Sequence, residues 1–119
     1  MAITGIGGLF FRSKTPKETL EWYKTHLGIA TGPYGLWDQQ AGPTVFSPFP
    51  DSTDYFPPDK QFMINYRVDA LDPLLDSLRK AGIEVITKPE WDSPETGRFA
   101  RIHDPEGNVI ELWEEPKDP

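Results

Sequence analysis

Few side chains in this sequence could carry out chemistry, and the carboxylate of Glu111 is the first candidate. It lies in residues 108–114, which predict a final β-strand, and alternate residues of a strand share a face. Val109, Glu111 and Trp113 therefore lie on one face. A carboxylate among apolar side chains can act as a general acid or base. It can equally serve as a hydrogen-bond acceptor without catalysis, and the sequence leaves both interpretations open.

Two arginines and two tryptophans are the other candidates. Arg67 and Arg101 could bind a ligand carboxylate or phosphate through the guanidinium fork, or form salt bridges with the many acidic residues. Trp37 and Trp113 could line a cavity and stack on a flat ligand, or they could fill the core. The sequence does not separate these alternatives.

Several classes of chemistry and partner are excluded by composition. The chain has no cysteine, which removes disulfides, thiolate nucleophiles and zinc sites built on thiolates. It contains no serine-histidine-aspartate set and no glycine loop placed to cradle a phosphate. The net charge of -7 and the lack of a basic stripe argue against nucleic acid and against an anionic membrane surface as partners.

The chain also shows no pattern of a signal peptide and no apolar run of about 20 residues that could span a bilayer. The absence of cysteine fits a reducing compartment. We therefore expect a cytoplasmic protein.

The elements that must position these residues fall into two similar halves. Residues 6–12 predict a strand, and Thr15-Pro16-Lys17-Glu18 predicts the capped start of a helix that ends at Gly28. Short strands are expected within residues 29–40 and at 44–46. The pattern then begins again, with strands at 62–68, 84–86, 98–103 and 108–114. The second helix is predicted to be capped by Asp69 or Asp72 and to be followed by Gly82.

Internal repetition supports this division. Leu27-Gly28-Ile29 matches Ala81-Gly82-Ile83, and residues 9–12 match residues 64–67 at nearly the same spacing. Two such units predict two similar sheets that must pair to bury their faces. The prediction is one α+β domain over residues 1–119, made of two tandem βαβββ units. The first unit covers about 1–50, a connecting loop covers 47–61, and the second unit covers about 62–115.

Two motifs carry a resemblance to a known family. Leu27-Gly28-Ile29 closes the first helix, and Asp104-Pro105-Glu106-Gly107-Asn108 is followed by Ile110-Glu111-Leu112. Together with the repeat, these motifs resemble the vicinal-oxygen-chelate superfamily of glyoxalases, bleomycin-resistance proteins and dioxygenases. The resemblance covers nearly the whole chain. It implies a mixed sheet that curves into a cup, with the ligand and any metal held inside.

The resemblance also implies where a metal would bind. Metal-dependent members use four His, Gln or Glu ligands, and the matching positions here are Gly8, approximately Val45, Met63 and Glu111. Glycine has no side chain, valine is apolar, and methionine is a soft ligand unsuited to hard divalent cations. Catalytic metal sites usually need three or more protein ligands. We therefore expect no metal cofactor.

The same resemblance implies which residues face the cup. The expected ligand-binding residues are Phe10, Trp37, Met63, Asn65, Arg67, Arg101 and Trp113. The expected function is that of a glyoxalase-like or bleomycin-resistance-like protein that binds a small organic molecule in a hydrophobic cup. Glu111 would be the catalytic residue of a metal-independent lyase or isomerase. The alternative is a binding protein of the drug-sequestration type, in which no bond is broken.

Two expectations concern assembly. Members of this superfamily often pair sheet edges and helix faces between chains, and a small domain rich in aromatic residues gains from extra burial, so a homodimer is expected. The proline-rich loop at 47–60 is too long for a simple connection. It could be a lid over the cup or an arm that packs in the dimer.

Overall fold

The computed structural model describes residues 2–117, which form an α+β chain. The helices are α1, Pro16–Leu27, and α2, Leu71–Lys80. The strands are β1, Ile64–Arg67, β2, Arg98–His103, and β3, Val109–Glu114. A 3₁₀ turn covers Pro89–Trp91. Within residues 2–117, no helix is long and apolar enough to cross a membrane.

A single sheet carries the three strands in the order β1-β3-β2. The central strand β3 is parallel to β1 and antiparallel to β2, so that Asn65 and Arg101 lie on either side of Glu111. Ile86 adds an isolated antiparallel bridge to Arg101 beyond β2. The second half of the chain thus runs strand, helix, bridge, strand, strand. The strand expected at 84–86 is reduced to that one bridge.

The core lies between this sheet and the two helices. α2 is amphipathic and buries Leu71, Leu75 and Leu78, which recur at helical spacing. These leucines pack with Ile110 and Leu112 from alternate positions of β3, together with Tyr23, Ala100 and Ile102. One face of the sheet is therefore closed by helices. The other face carries Glu111.

The first helix is fixed by side chains from a distant turn rather than by the predicted capping box. Thr15 makes no side-chain capping bond. Instead, Glu106 accepts hydrogen bonds from the Lys14 backbone N–H at 2.8 Å and from the Ser13 hydroxyl at 2.7 Å. The capping prediction was wrong because a tertiary carboxylate satisfies the groups near this helix start. Gly28, predicted to end the helix, has a φ of 71° in the left-handed region.

A second tertiary bond replaces the predicted cap of α2. The Leu71 N–H donates to the Glu114 carboxylate at 2.9 Å, and neither Asp69 nor Asp72 caps this helix. Glu114 ends β3, so the bond ties the final strand to the helix that packs on it. A carboxylate at a helix N-terminus is also favoured by the helix dipole.

The turn at residues 104–107 ties the sheet to α1. Asp104 is buried, with 5% of its surface exposed. It accepts a hydrogen bond from the Tyr23 hydroxyl at 2.6 Å and bonds from the backbone N–H groups of Glu106 and Asn108. Burial and the adjacent carboxylate raise the pKa of Tyr23 well above its usual range. The Asp-Pro-Glu-Gly-Asn motif therefore has a structural role in this chain.

The first half of the chain departs from the prediction. The strands expected at 6–12, within 29–40 and at 44–46 are not formed in the part of the chain that the structure describes. Apolar side chains on these segments point to solvent: Phe10 is 94% exposed, Phe46 87% and Val45 73%. A strand is stable only when its backbone groups pair with a neighbour. The sheet of this single chain comes from the second half, so two tandem βαβββ units and a two-sheet cup are not confirmed.

Candidate functional site

The sheet face opposite α1 and α2, here called the open face, brings polar and aromatic side chains together. The strand register places Asn65, Glu111 and Arg101 side by side across β1, β3 and β2. Two positions along each strand, Trp113 lies opposite Phe99. Alternation along three neighbouring strands therefore assembles one surface from residues far apart in sequence.

Glu111 is held at both of its carboxylate oxygens. The Asn65 side-chain amide donates to Oε1 at 2.7 Å. The Tyr55 hydroxyl donates to Oε2 at 2.5 Å. Hydrogen bonds to an ionised acceptor are shorter and stronger than those between neutral groups. The half-buried carboxylate is thus anchored by a neighbouring strand and by the proline-rich loop.

Arg101 holds that loop against the sheet. Its Nη2 donates to the backbone carbonyl of Tyr55 at 2.6 Å. Its guanidinium carbon lies 4.7 Å from the centroid of the Tyr55 ring and 5.3 Å from that of Trp91. These are cation–π distances. Among residues 2–117, the buried Nε–H of Arg101 finds no hydrogen-bond acceptor.

An open aromatic depression lies at this point on the open face. It encloses about 260 Å³ and is lined by Phe49, Tyr55, Trp91, Phe99 and Glu111. Cavities that hold drug-sized ligands usually measure roughly 300–1,000 Å³. The Tyr55 side chain forms one wall of this space, with its ring centroid 5.7 Å from that of Phe49 and 6.2 Å from that of Trp91.

The Tyr55 phenol is a hydrogen-bond donor throughout the neutral pH range. Burial, the hydrogen bond to Glu111 and the negative charge of Glu111 raise the pKa of Tyr55 to about 12, while Arg101 acts in the opposite direction. The ring therefore stays uncharged and donates its proton to the carboxylate.

Trp113 forms the wall beside this depression. Its ring stacks on Phe99 with centroids 6.2 Å apart and planes only 6° from parallel. Its indole N–H donates to the Thr96 carbonyl at 2.7 Å. That turn ends at Gly97, whose φ of 102° only glycine adopts readily. Trp113 thus presents a rigid aromatic surface instead of a mobile one.

The structure places the sequence-predicted site residues in two groups. Glu111 lines the depression, and the strand register places Asn65, Arg101, Trp113 and Arg67 on the same open face. Phe10, Trp37 and Met63 lie elsewhere than in the lining of the depression.

The predicted site residues that do not line the depression differ in their contacts. Phe10 points to solvent, and Trp37 packs edge-on against Tyr66, with ring centroids 6.1 Å apart. Arg67 donates to the Gln40 carbonyl at 2.9 Å. Its guanidinium also lies against Gly42, so closely that a Cβ added at Gly42 would overlap it. Met63 is half-buried just before β1.

Sequence reasoning missed most of the aromatic lining. Phe99 was identifiable, because alternation along residues 98–103 places it on the same face as Arg101. Tyr55 lies in the long proline-rich loop, but nothing in the sequence predicts its contact with Glu111. Phe49 and Trp91 carry no local pattern that indicates a site.

The positions that the family resemblance assigns to metal ligands offer one carboxylate. Val45 is an exposed apolar residue, and Glu111 is engaged by Tyr55 and Asn65. In the range that the structure covers, no three His, Cys, Asp or Glu side chains cluster as a metal site. A glycine, an apolar side chain, a thioether and one carboxylate do not fit a divalent metal.

Comparison with known proteins places the fold in context. No protein-family model matches the chain, and a search of curated proteins finds no match. Among solved structures, the chain is similar to TnmS3, an antibiotic binding protein from Streptomyces sp. CB03234. The two share 23% sequence identity over 97% of this chain and 98% of TnmS3, with a TM-score of 0.56. At this identity the likeness shows a shared fold alone.

Proposed function

We propose that this protein binds a small, flat organic molecule on its open face and that binding, without turnover, is its function. The observation that carries the proposal is the aromatic depression beside Glu111 and Arg101. Aromatic walls with a few fixed polar groups are the usual composition of a small-molecule site. The fold shared with an antibiotic-binding protein is compatible with this function. Sequestration of a toxic compound is the role that we assign to it.

The competing proposal is a metal-independent lyase or isomerase that uses Glu111 as its acid or base. A general base must reach the proton that it removes, within about 3 Å. Both Glu111 oxygens already accept hydrogen bonds from Asn65 and Tyr55. Asn65 fixes Oε1, so the carboxylate is set to accept a hydrogen bond from a ligand at Oε2 once Tyr55 gives way, and this favours a role in orienting the ligand. If Glu111→Gln abolished turnover of a bound ligand while preserving its affinity, the catalytic proposal would replace ours.

Calorimetric titration with a panel of planar aromatic compounds tests the binding proposal. Trp91→Ala removes one wall of the depression, and we expect it to weaken binding at least about tenfold, as loss of an aromatic anchor commonly does. Trp22→Phe is the matched control, because Trp22 packs on α1 against Tyr23 and His26, away from the open face. Equal effects of the two variants, or no binding by any member of the panel, would contradict the proposal.

We also propose that two copies of the chain form a homodimer through the exposed apolar segments of the first half. Large contiguous apolar surfaces on soluble proteins usually mark contacts. β1 is an edge strand of the sheet, with one side open to a further strand. The first half holds segments whose sequence predicts strands but which lie unpaired, and a second identical chain would supply symmetrical partners. Light scattering that showed only monomer at micromolar concentration would refute this proposal.

The proposal includes no metal and a cytoplasmic location. One carboxylate among the four family positions is too few ligands for a tightly bound divalent ion. Elemental analysis of the purified protein tests the absence of a bound metal directly. Stoichiometric manganese, nickel, zinc or iron would overturn it.

A further inference from the structure

The Tyr55 side chain forms one wall of the aromatic depression, where it makes the contacts that a bound phenol would make. Its hydroxyl donates to Glu111 Oε2, its ring is covered on one side by the Arg101 guanidinium, and Trp91 meets it edge-on. Each of these contacts uses a feature of a phenol: an acidic O–H, a π-face and a flat apolar edge. The lining is therefore complementary to a hydroxylated aromatic ring.

Tyr55 belongs to a loop that can give up these contacts. The loop at 47–60 contains neither helix nor strand, and its backbone bonds include two local turns, from Thr53 to Pro50 and from Lys60 to Pro57. Its tie to the sheet at Tyr55 consists of the bond from Arg101 and the bond to Glu111. Arg101 Nε–H has no acceptor among residues 2–117 with Tyr55 in place. A buried donor without a partner costs free energy, so a ligand that supplies an acceptor to it would gain from replacing the Tyr55 contacts.

We propose that the site takes a neutral hydroxylated aromatic compound, whose hydroxyl donates to Glu111 in place of the Tyr55 phenol. This inference rests on the proposed binding function and names its ligand class. Tyr55 is then an internal competitor. The apparent affinity of the ligand is its intrinsic affinity multiplied by the fraction of molecules in which the Tyr55 hydroxyl has left Glu111.

Charge separates this ligand class from its closest alternatives. An aromatic amine in its cationic form would also donate to Glu111, but the Arg101 guanidinium already lies over the ring faces of Tyr55 and Trp91. A second cation there would meet like charge. An anionic ligand would face the Glu111 carboxylate and a chain with a net charge of -7. A neutral donor avoids both penalties.

Three probes that differ at one group test the inference by calorimetry: β-naphthol, β-methoxynaphthalene and naphthalene. β-Naphthol donates a hydrogen bond, and the other two do not. We expect the intact protein to bind β-naphthol about tenfold more tightly than either analogue, since a bond to a charged acceptor is worth at least that factor. Glu111→Gln should remove most of this preference.

Tyr55→Phe provides the sharper test, because it keeps the ring and removes the competing hydroxyl. We expect it to raise the affinity for β-naphthol about threefold or more, with a smaller change for naphthalene. Tyr34→Phe is the matched control, because Tyr34 is an exposed residue of the turn near Gly35. It should change neither affinity. Circular dichroism checks that each variant is folded.

The outcomes distinguish this inference from the function on which it rests. Equal affinities of the three probes for the intact protein and for Tyr55→Phe would overturn the hydroxyl inference and leave the binding function standing. No binding of any probe to either protein would contradict both. A preference for β-naphthol that grows in Tyr55→Phe and falls in Glu111→Gln is the supporting result.

Discussion

The Tyr55 hydroxyl donates a hydrogen bond of 2.5 Å to Glu111 Oε2, although the two residues are 56 positions apart. This bond joins the proline-rich loop to the central strand of the sheet. It also places a phenol against the one carboxylate that the family resemblance assigns to the interior of the cup. The candidate site therefore consists of Glu111 together with the Tyr55 phenol that covers it.

Alkaline pH should weaken the folded state through Tyr55. Its pKa is raised from about 10 to about 12, so between these values the unfolded chain releases the phenol proton while the folded chain retains it. Stability from this group is complete below about pH 10 and is lost as the pH rises toward about 12. Urea unfolding at a series of alkaline pH values should show a shallower decline for Tyr55→Phe. Identical slopes for the two proteins would contradict the raised pKa.

Asp104 should matter to stability more than any exposed acid. Asp104→Ala leaves the Tyr23 hydroxyl and the N–H groups of Glu106 and Asn108 without their acceptor. We expect a loss of about 3 kcal/mol in the free energy of unfolding, because each unsatisfied buried group costs roughly 1–3 kcal/mol. The control is Asp76→Ala, whose side chain is exposed and only 4.0 Å from Arg79. Chemical denaturation measures both, and similar losses would be inconsistent with the buried network.

Gly97→Ala should destabilise the protein and loosen Trp113. At a φ of 102°, the added Cβ would overlap the Glu114 carbonyl oxygen, which is backbone and cannot move aside cheaply. Strain of this kind costs of order 1–3 kcal/mol. Gly32→Ala serves as the comparison, since nothing lies within 4 Å of the position that its added methyl group would take and its φ is not positive. A Gly97→Ala protein with unchanged melting temperature would contradict the turn geometry.

Phe10→Asp should shift the protein toward monomer if the exposed apolar segments pair between copies. In a single chain Phe10 is almost fully exposed, so the charge itself costs the monomer little. At a pairing surface the same charge would lose its water and weaken association. Ser77→Asp, on the solvent side of α2, adds the same charge elsewhere and should leave the assembly unchanged. Light scattering across a dilution series measures the molar mass of each protein. The same mass for Phe10→Asp and the unaltered protein at every concentration would contradict pairing through this surface.

The sequence predicts the second half of the fold better than the first, for a physical reason. Strand β2 matches the predicted residues 98–103, and α2 forms in the predicted place and buries Leu71, Leu75 and Leu78, because the spacing of apolar residues in these segments matches how they pack. Residues 6–12 show an apolar strand pattern as well, but pattern alone does not supply a neighbouring strand. Whether these residues form a strand depends on which sheet edge lies close enough to pair with them, and the local sequence does not encode the position of that edge.

The candidate site shows a similar difference between residues on regular strands and residues in loops. Asn65, Arg101 and Trp113 were identifiable because they lie on regular strands, where alternation fixes the face. Tyr55 was not, since a loop rich in proline has no period from which to infer where a side chain points. The resemblance predicts Trp37 and Arg67 in the cup. In the structure Trp37 contacts Tyr66, and Arg67, which pairs with Trp113 in the sheet, donates to the Gln40 carbonyl.

A crystal structure of the protein with β-naphthol bound tests the central claim most directly. Our account predicts the naphthyl ring between Trp91 and Phe99, its hydroxyl within hydrogen-bond distance of Glu111, and the Tyr55 side chain withdrawn from Oε2. A ligand bound elsewhere, with the Tyr55–Glu111 hydrogen bond intact, would contradict it.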